Sequence, residues 1–249
     1  MSIFRPLMLR ELYDFKNHFI SVLLFWVLMP VILHIFLAIP LSLVIQLDIR
    51  YLNWSAGGIW IVTAGITAFL YSANRMRKIH QESSQIDALL KAPLTNLDLL
   101  LITVLRGVLY GIGQFIIALI ITTYLNNEYL GINGLLVVSF QMFTLIMHFA
   151  VLGTFLGMIL PGRMVFTNVS FFIFLFISFG LGNFIPLEFF PETYLTIIEA
   201  IPTTGAFANI KSVIIHTPFN WKGFFFTLMG TIIIFIITLI SSHKLFRKI

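Results

Sequence analysis

Six long apolar stretches divide this chain and leave it few ways to fold. A helix needs about 20 apolar residues to cross a bilayer. Backbone in hydrocarbon must satisfy its own polar groups, so spanning segments are helices or closed barrels. Residues 20–47, 56–74, 99–125, 135–160, 164–183 and 224–241 are read as six transmembrane helices. Of the 249 residues, 59% are hydrophobic and 10% charged, with a mean hydropathy of +1.01. A soluble domain carries roughly 25% charged residues. The expected fold is an all-α integral membrane protein, one transmembrane domain over 1–249 with no large soluble domain.

The segments between the spans carry the remaining information. Residues 3–19 read as an amphipathic helix in the membrane interface. Ile3, Phe4, Leu7, Met8, Leu12, Phe15 and Phe19 form its apolar stripe. Arg5, Arg10, Asp14 and Asn17 lie opposite, with Arg10 and Asp14 spaced for an i,i+4 pair. The apolar run after it is too long for a signal-peptide core, so no cleavable leader is expected. Pro30 and Pro40 fall inside the first span, which predicts a kink and carbonyls that neighbouring helices must satisfy. Residues 48–54 read as a short loop with interfacial Tyr51 and Trp54. Gly107 and Gly111 in the third span, and Gly153 and Gly157 in the fourth, form two GxxxG patterns that permit close helix approach. Residues 185–222 are broken by Pro186, Pro191, Pro202 and Pro218. They leave room for two short re-entrant or interfacial helices, about 192–200 and 204–216.

The basic residues set an orientation. With the N-terminus in the cytoplasm, that side receives Arg5, Arg10, Lys16, Arg75, Arg77, Lys78, Lys91, Arg163, Lys244, Arg247 and Lys248. The other side receives Arg50, Lys211 and Lys222. Both termini and the polar stretch 75–98 are therefore expected in the cytoplasm, and 185–222 outside. The net charge of +5 reports this loop bias rather than nucleic-acid binding.

The stretch 75–98 has the local grammar of a short helix. Ser84 and Asp87 fit an N-cap with an acidic third position. Ile86, Leu89 and Leu90 make one apolar stripe, and Pro93 stops the helix. Thr95 and Asp98 then form a second cap that opens the third span. Spacing alone allows either a tie between two spans or a docking element.

Signatures of catalysis are missing. The chain contains no Gly-rich phosphate loop, no HExxH and no GxSxG. Without cysteine it has no disulfide and no thiolate metal site. His34 and His148 stand alone in apolar surroundings and read as bundle histidines. Glu188, Glu192 and Glu199 read as residues that keep short interfacial helices solvated. Polar groups inside spans are costly and face a bundle interior or a water path. Here they are Arg106, Gln114, Gln141 and Asn168. Arg106 either faces inward or snorkels to the interface. The three amides serve either as interhelical hydrogen-bond glue or as pathway lining. The phenylalanine-rich fifth span is either lipid-facing bulk or an aromatic wall.

These features together resemble the ABC-2 family of ABC transporter permeases, over nearly the whole chain. The most specific match runs from Glu82 to Leu105. It carries Ile86-Asp87-Ala88-Leu89-Leu90-Lys91-Ala92-Pro93-Leu94-Thr95, similar to the family's amide-rich or acidic helix, Leu pair, small residue, proline and hydroxyl residue. A second match is Ile201-Pro202-Thr203-Thr204 before a short amphipathic helix. The family often has Asn before that proline and Arg near Lys211, and this chain departs at both places.

The resemblance implies a permease subunit in a bacterial inner membrane, paired with a second copy as a homodimer and surrounded by membrane lipids. Two copies of a separate ABC ATPase subunit would dock in the cytoplasm. Glu82, Ser84, Gln85, Ile86, Asp87, Leu89, Leu90, Lys91 and Pro93 would form the coupling helix in the ATPase groove. Residues 1–19 would be the connecting helix, and 185–222 would cap the external exit. ATP and Mg would sit on the partner, because this chain has no Walker motif and is expected to be neither an enzyme nor a cofactor binder. The cargo implied is a drug-like or amphiphilic molecule, with polysaccharide or lipid-linked glycan as the alternative. A membrane-embedded enzyme of lipid metabolism is a remote reading, since it would need acids or histidines clustered at one interface.

Overall fold

The computed structural model describes residues 4–81 and 95–246, with helices joined by turns and no strand among the described residues. In chain order the helices are α1 (Phe4–Asn17), α2 (Phe19–Ser42), α3 (Tyr51–Gln81), α4 (Asn96–Asn126), α5 (Ile132–Ile159) and α6 (Arg163–Gly180). They are followed by α7 (Glu192–Glu199), α8 (Thr204–Ile214) and α9 (Trp221–Phe246). Six of these, α2 to α6 and α9, are long and apolar enough to cross a membrane. That is the architecture of a multi-pass helical membrane protein.

Helix α3 is the axis of the bundle. In its most apolar stretch 89% of residues are buried, against 17% in α6. Its neighbours approach closely because small residues meet backbone. Gly107 and Gly111 of α4 face Ala68 and the Ala64 carbonyl, while Gly153 and Gly157 of α5 lie on the backbone of Phe69 and Ala73. A Cβ on Gly157 would come within 2.8 Å of the Ala73 Cα, below any ordinary contact. Both glycine pairs thus let α4 and α5 pack on neighbouring faces of α3 and against each other.

The helix is longer at both ends than the apolar run suggested. Tyr51 and Trp54 lie in its first turns and are buried, rather than in an interfacial loop. At the other end the backbone continues through Arg75, Arg77 and Lys78 to Gln81. No proline or glycine interrupts it after Gly65, so nothing stops the helix where polar residues begin. Arg75 and Arg77 are consequently buried against other helices. They do not belong to a solvated loop.

Helix α2 bears the expected proline distortion in an unexpected form. Pro40 cannot donate to the carbonyl four residues earlier. The chain widens ahead of it into a π segment, His34–Ala38, where the Ile39 amide donates to the His34 carbonyl. A second π segment, Phe176–Gly180, ends α6. At the start of α4 the cap is as expected. The Asp98 amide donates to Thr95 Oγ1 at 3.2 Å, and the Thr95 amide returns a bond to Asp98 Oδ2 at 3.0 Å.

Candidate functional site

The charged cluster that ties α1 to α3 and α4 sits at the end of the bundle where the chain enters and leaves residues 82–94. Glu11 of α1 is buried and accepts from Arg75 Nη2 at 3.0 Å and from Arg106 Nη1. Arg106 also donates to Asp14 Oδ2 at 3.1 Å. Burial alone would raise the Asp14 carboxyl, but the hydrogen bond and charge of Arg106 outweigh it and hold the pKa below the usual aspartate value. Arg106 therefore faces inward, toward two carboxylates. The expected Arg10–Asp14 pair does not form, since Asp14 is engaged by Arg106 while Arg10 is exposed. An aromatic set backs the cluster. Phe15 packs on Trp26 and Tyr110, and Tyr110 stacks on Tyr71 with centroids 3.8 Å apart.

Glu11 is the residue that sequence reasoning passed over. It is four residues from Leu7 and four from Phe15, in the middle of the apolar stripe of α1. A carboxylate on an apolar stripe needs buried cations, and Arg75 and Arg106 supply them.

The polar residues inside the spans separate into two kinds. Gln114 is fully buried and its Nε2 donates to the Trp26 carbonyl at 3.0 Å. That carbonyl is the one Pro30 leaves without its helical donor. Gln141 is also fully buried, and its Oε1 accepts from Asn209 of α8 at 3.1 Å. His148 bonds through Nδ1 to Thr231 Oγ1 of α9 at 2.9 Å. These groups act as glue between helices. Asn168 differs, being exposed on α6 and thus not gathered with the other amides.

Lys211 is the chief surprise at the opposite end of the bundle. Orientation counting places it among solvated outer cations, yet it is buried, because it falls on the stripe Phe207, Ile210, Ile214 of α8. Its Nζ donates to the Gly182 carbonyl and, at 3.2 Å, to the Asn183 carbonyl, and lies 3.4 Å from the Trp54 ring centroid. Burial pushes its pKa well below the ordinary lysine value. Tyr51 donates to the Phe184 carbonyl at 2.6 Å and Tyr194 to that of Gly180 at 3.0 Å. The end of α6 and the turn that follows it are thus held by side chains from α3, α7 and α8. Glu188, Glu192 and Glu199 are not joined to a metal-ligand set, since no group of three His, Cys, Asp or Glu fit to hold an ion occurs among the described residues.

Glu82, Ser84, Gln85, Ile86, Asp87, Leu89, Leu90, Lys91 and Pro93, and with them the two-turn helix expected there, lie outside the described residues. What is described on either side of them is the end of α3 and the capped start of α4. No protein-family model matches the chain, and no curated protein matches it.

Proposed function

We propose that this chain is the membrane subunit of an ATP-driven ABC exporter, working as a homodimer with two copies of a separate ATP-binding cassette subunit. The observation that carries the reading is the Glu11 cluster. One buried carboxylate gathers the N-terminal helix and both helices that flank residues 82–94. A docking segment at 82–94 would then transmit to three helices at once. An apolar stripe of Ile86, Leu89 and Leu90 with flanking charge suits a groove on a soluble partner. The similarity of 82–105 to ABC-2 permeases and the six membrane-crossing helices support the same reading. In it, both termini lie in the cytoplasm of a bacterium, 185–222 caps the outer exit, and the cargo is a hydrophobic, amphiphilic or glycan molecule.

The test is whether an ATP-binding cassette gene lies beside this one and whether its product copurifies with this chain. Leu89→Asp with Leu90→Asp removes the docking stripe and leaves the membrane core untouched. The expected result is loss of the ATPase from a permease that still elutes as a folded species. ATPase retained at parental levels would overturn the assignment.

A further inference from the structure

A groove with a basic end and an aromatic wall runs between α2, α3 and α6. Its basic part is a cavity of about 550 Å³ lined by Arg75, Arg77, Lys78, Arg106 and Arg163. Its apolar part, about 560 Å³, is lined by Met29, Ile66, Phe166, Phe171 and Phe174. The two adjoin, because Phe25, Leu70, Asn74, Arg77 and Arg163 border both. Each is within the size range of small-molecule sites.

Among the described residues, the charge of the basic part is only partly neutralised. Glu11 and Asp14 engage Arg75 and Arg106, and they are the carboxylates in ion pairs among the described residues. Arg77, Lys78 and Arg163 have no carboxylate partner among those residues. Arg77 is more than nine-tenths buried, with Nε unpartnered there. Its guanidinium lies 4.4 Å from the Phe166 ring centroid, at the junction of the two parts. Arg163 stands at the first turn of α6, whose N-cap, Gly162, offers no side-chain bond to the free amides. Cations and a helix start thus converge on the mouth of an apolar slot.

We propose that this groove binds an anionic phospholipid, with its phosphate on Arg77 and Arg163 and one acyl chain along Phe166, Phe171 and Phe174. A phosphate answers the guanidinium groups that have no carboxylate among the described residues, and a chain answers the apolar wall. A free phosphate would use the first and leave the second uncovered. The site stands apart from the exporter reading, since lipid capture needs no ATPase, and its failure would leave ATPase docking untouched.

The test uses the full chain in nanodiscs of phosphatidylcholine, released into native mass spectrometry after exchange with phosphatidylglycerol of the same chain length. One phosphatidylglycerol per chain is expected, retained about tenfold over phosphatidylcholine, the effect of one charge-assisted contact. Arg163→Glu, on an exposed residue that leaves the core intact, should abolish that preference. Arg77→Lys, which keeps the charge, should largely preserve it. A dihexanoyl phosphatidylglycerol should bind at least about tenfold more weakly than the long-chain lipid, because it covers less of the wall. Equal retention of the two lipids, or a preference that survives Arg163→Glu, would overturn the proposal. So would displacement of the long-chain lipid by millimolar inorganic phosphate, which would mark a simple anion site. A lipid-free dimer whose contacts cover Phe171 would assign the groove to a second copy instead and would equally refute it.

Discussion

The bond between Gln114 and the Trp26 carbonyl offers a test in which one residue's role depends on another's missing atom. Pro30 has no N–H, so the Trp26 carbonyl, four residues earlier, loses its helical donor. Gln114 Nε2 replaces it across the α2–α4 contact at 3.0 Å. Gln114→Leu keeps the volume roughly and deletes the donor. A buried carbonyl left unpaired costs roughly 1–3 kcal/mol in proteins generally. Interhelical hydrogen bonds in membranes average about 0.6 kcal/mol, with a maximum near 1.7. The expected loss is therefore about 1 kcal/mol, a several-fold change in the folded-to-unfolded ratio. Gln114 Oε1 is itself unpartnered among the described residues, and its removal offsets part of the loss. A double-mutant cycle removes that ambiguity. Pro30→Ala restores an amide to the Trp26 carbonyl, so Gln114→Leu should cost close to nothing in that background. The coupling energy, about 1 kcal/mol, is read from unfolding in detergent against the mole fraction of dodecyl sulfate. An equal cost for Gln114→Leu with Pro30 and with Ala at that position would refute the reasoning.

Other expectations follow from the same geometry. Glu11→Gln strands two largely buried guanidinium groups and should cost about 3 kcal/mol, whereas Asp14→Asn, at a half-exposed carboxylate, should stay within about 1 kcal/mol; thermal unfolding in detergent ranks them, and a reversed order would contradict the cluster. Because the Asp14 pKa is lowered in the folded chain, its contribution is complete above the usual aspartate value of about 3.9 and disappears as pH falls through the lower folded value. Protease cleavage of α1 should accordingly rise below about pH 4 in the parent, and Asp14→Asn should remove the part of that rise due to Asp14. Gly157→Leu drives a side chain into the Ala73 backbone and should cost about 3 kcal/mol, seen as loss of monodisperse protein on gel filtration; a variant as stable as the parent would show that α3 and α5 do not meet there. Lys211→Met leaves the Gly182 and Asn183 carbonyls short of a donor and should lower stability by about 2 kcal/mol, while Asn168→Leu on the exposed face of α6 should change little.

Much of the bundle was legible because apolar length is a strong signal in a membrane chain. The six crossing helices, the cap at Thr95 and the two short helices after Pro191 and Pro202 each follow from local chemistry. What was illegible was partnership across the sequence. Arg75 and Arg77 look like loop cations because charge usually marks the end of a span, and only the continuing helix, with the distant Glu11 at Arg75 and the Phe166 ring at Arg77, makes them interior. Lys211 looks solvated for the same reason, although its place on the stripe of Phe207 and Ile214 was a usable clue. Gln114 carried no clue about its partner, because the carbonyl it meets is exposed by a proline in a different helix. Asn168 shows the converse limit: a polar residue in a span can lie on an outer face, and one sequence does not say which face.

Helix α3 joins the two polar ends of the molecule without a break. Arg75 in the Glu11 cluster and Trp54 beneath Lys211 are 21 residues apart on it, or about 31 Å at 1.5 Å per residue. Between them there is no proline and no widened turn, whereas α2 and α6 each contain a π segment. The middle helix is therefore a continuous rod, gripped along its length by α4 and α5. On the exporter reading proposed above, an axial shift imposed near Arg75 would be carried by this one helix to Trp54, and so to Lys211 and the carbonyls it holds. Ala64→Pro would put a joint in the rod, and spin labels placed at its two ends would then move independently.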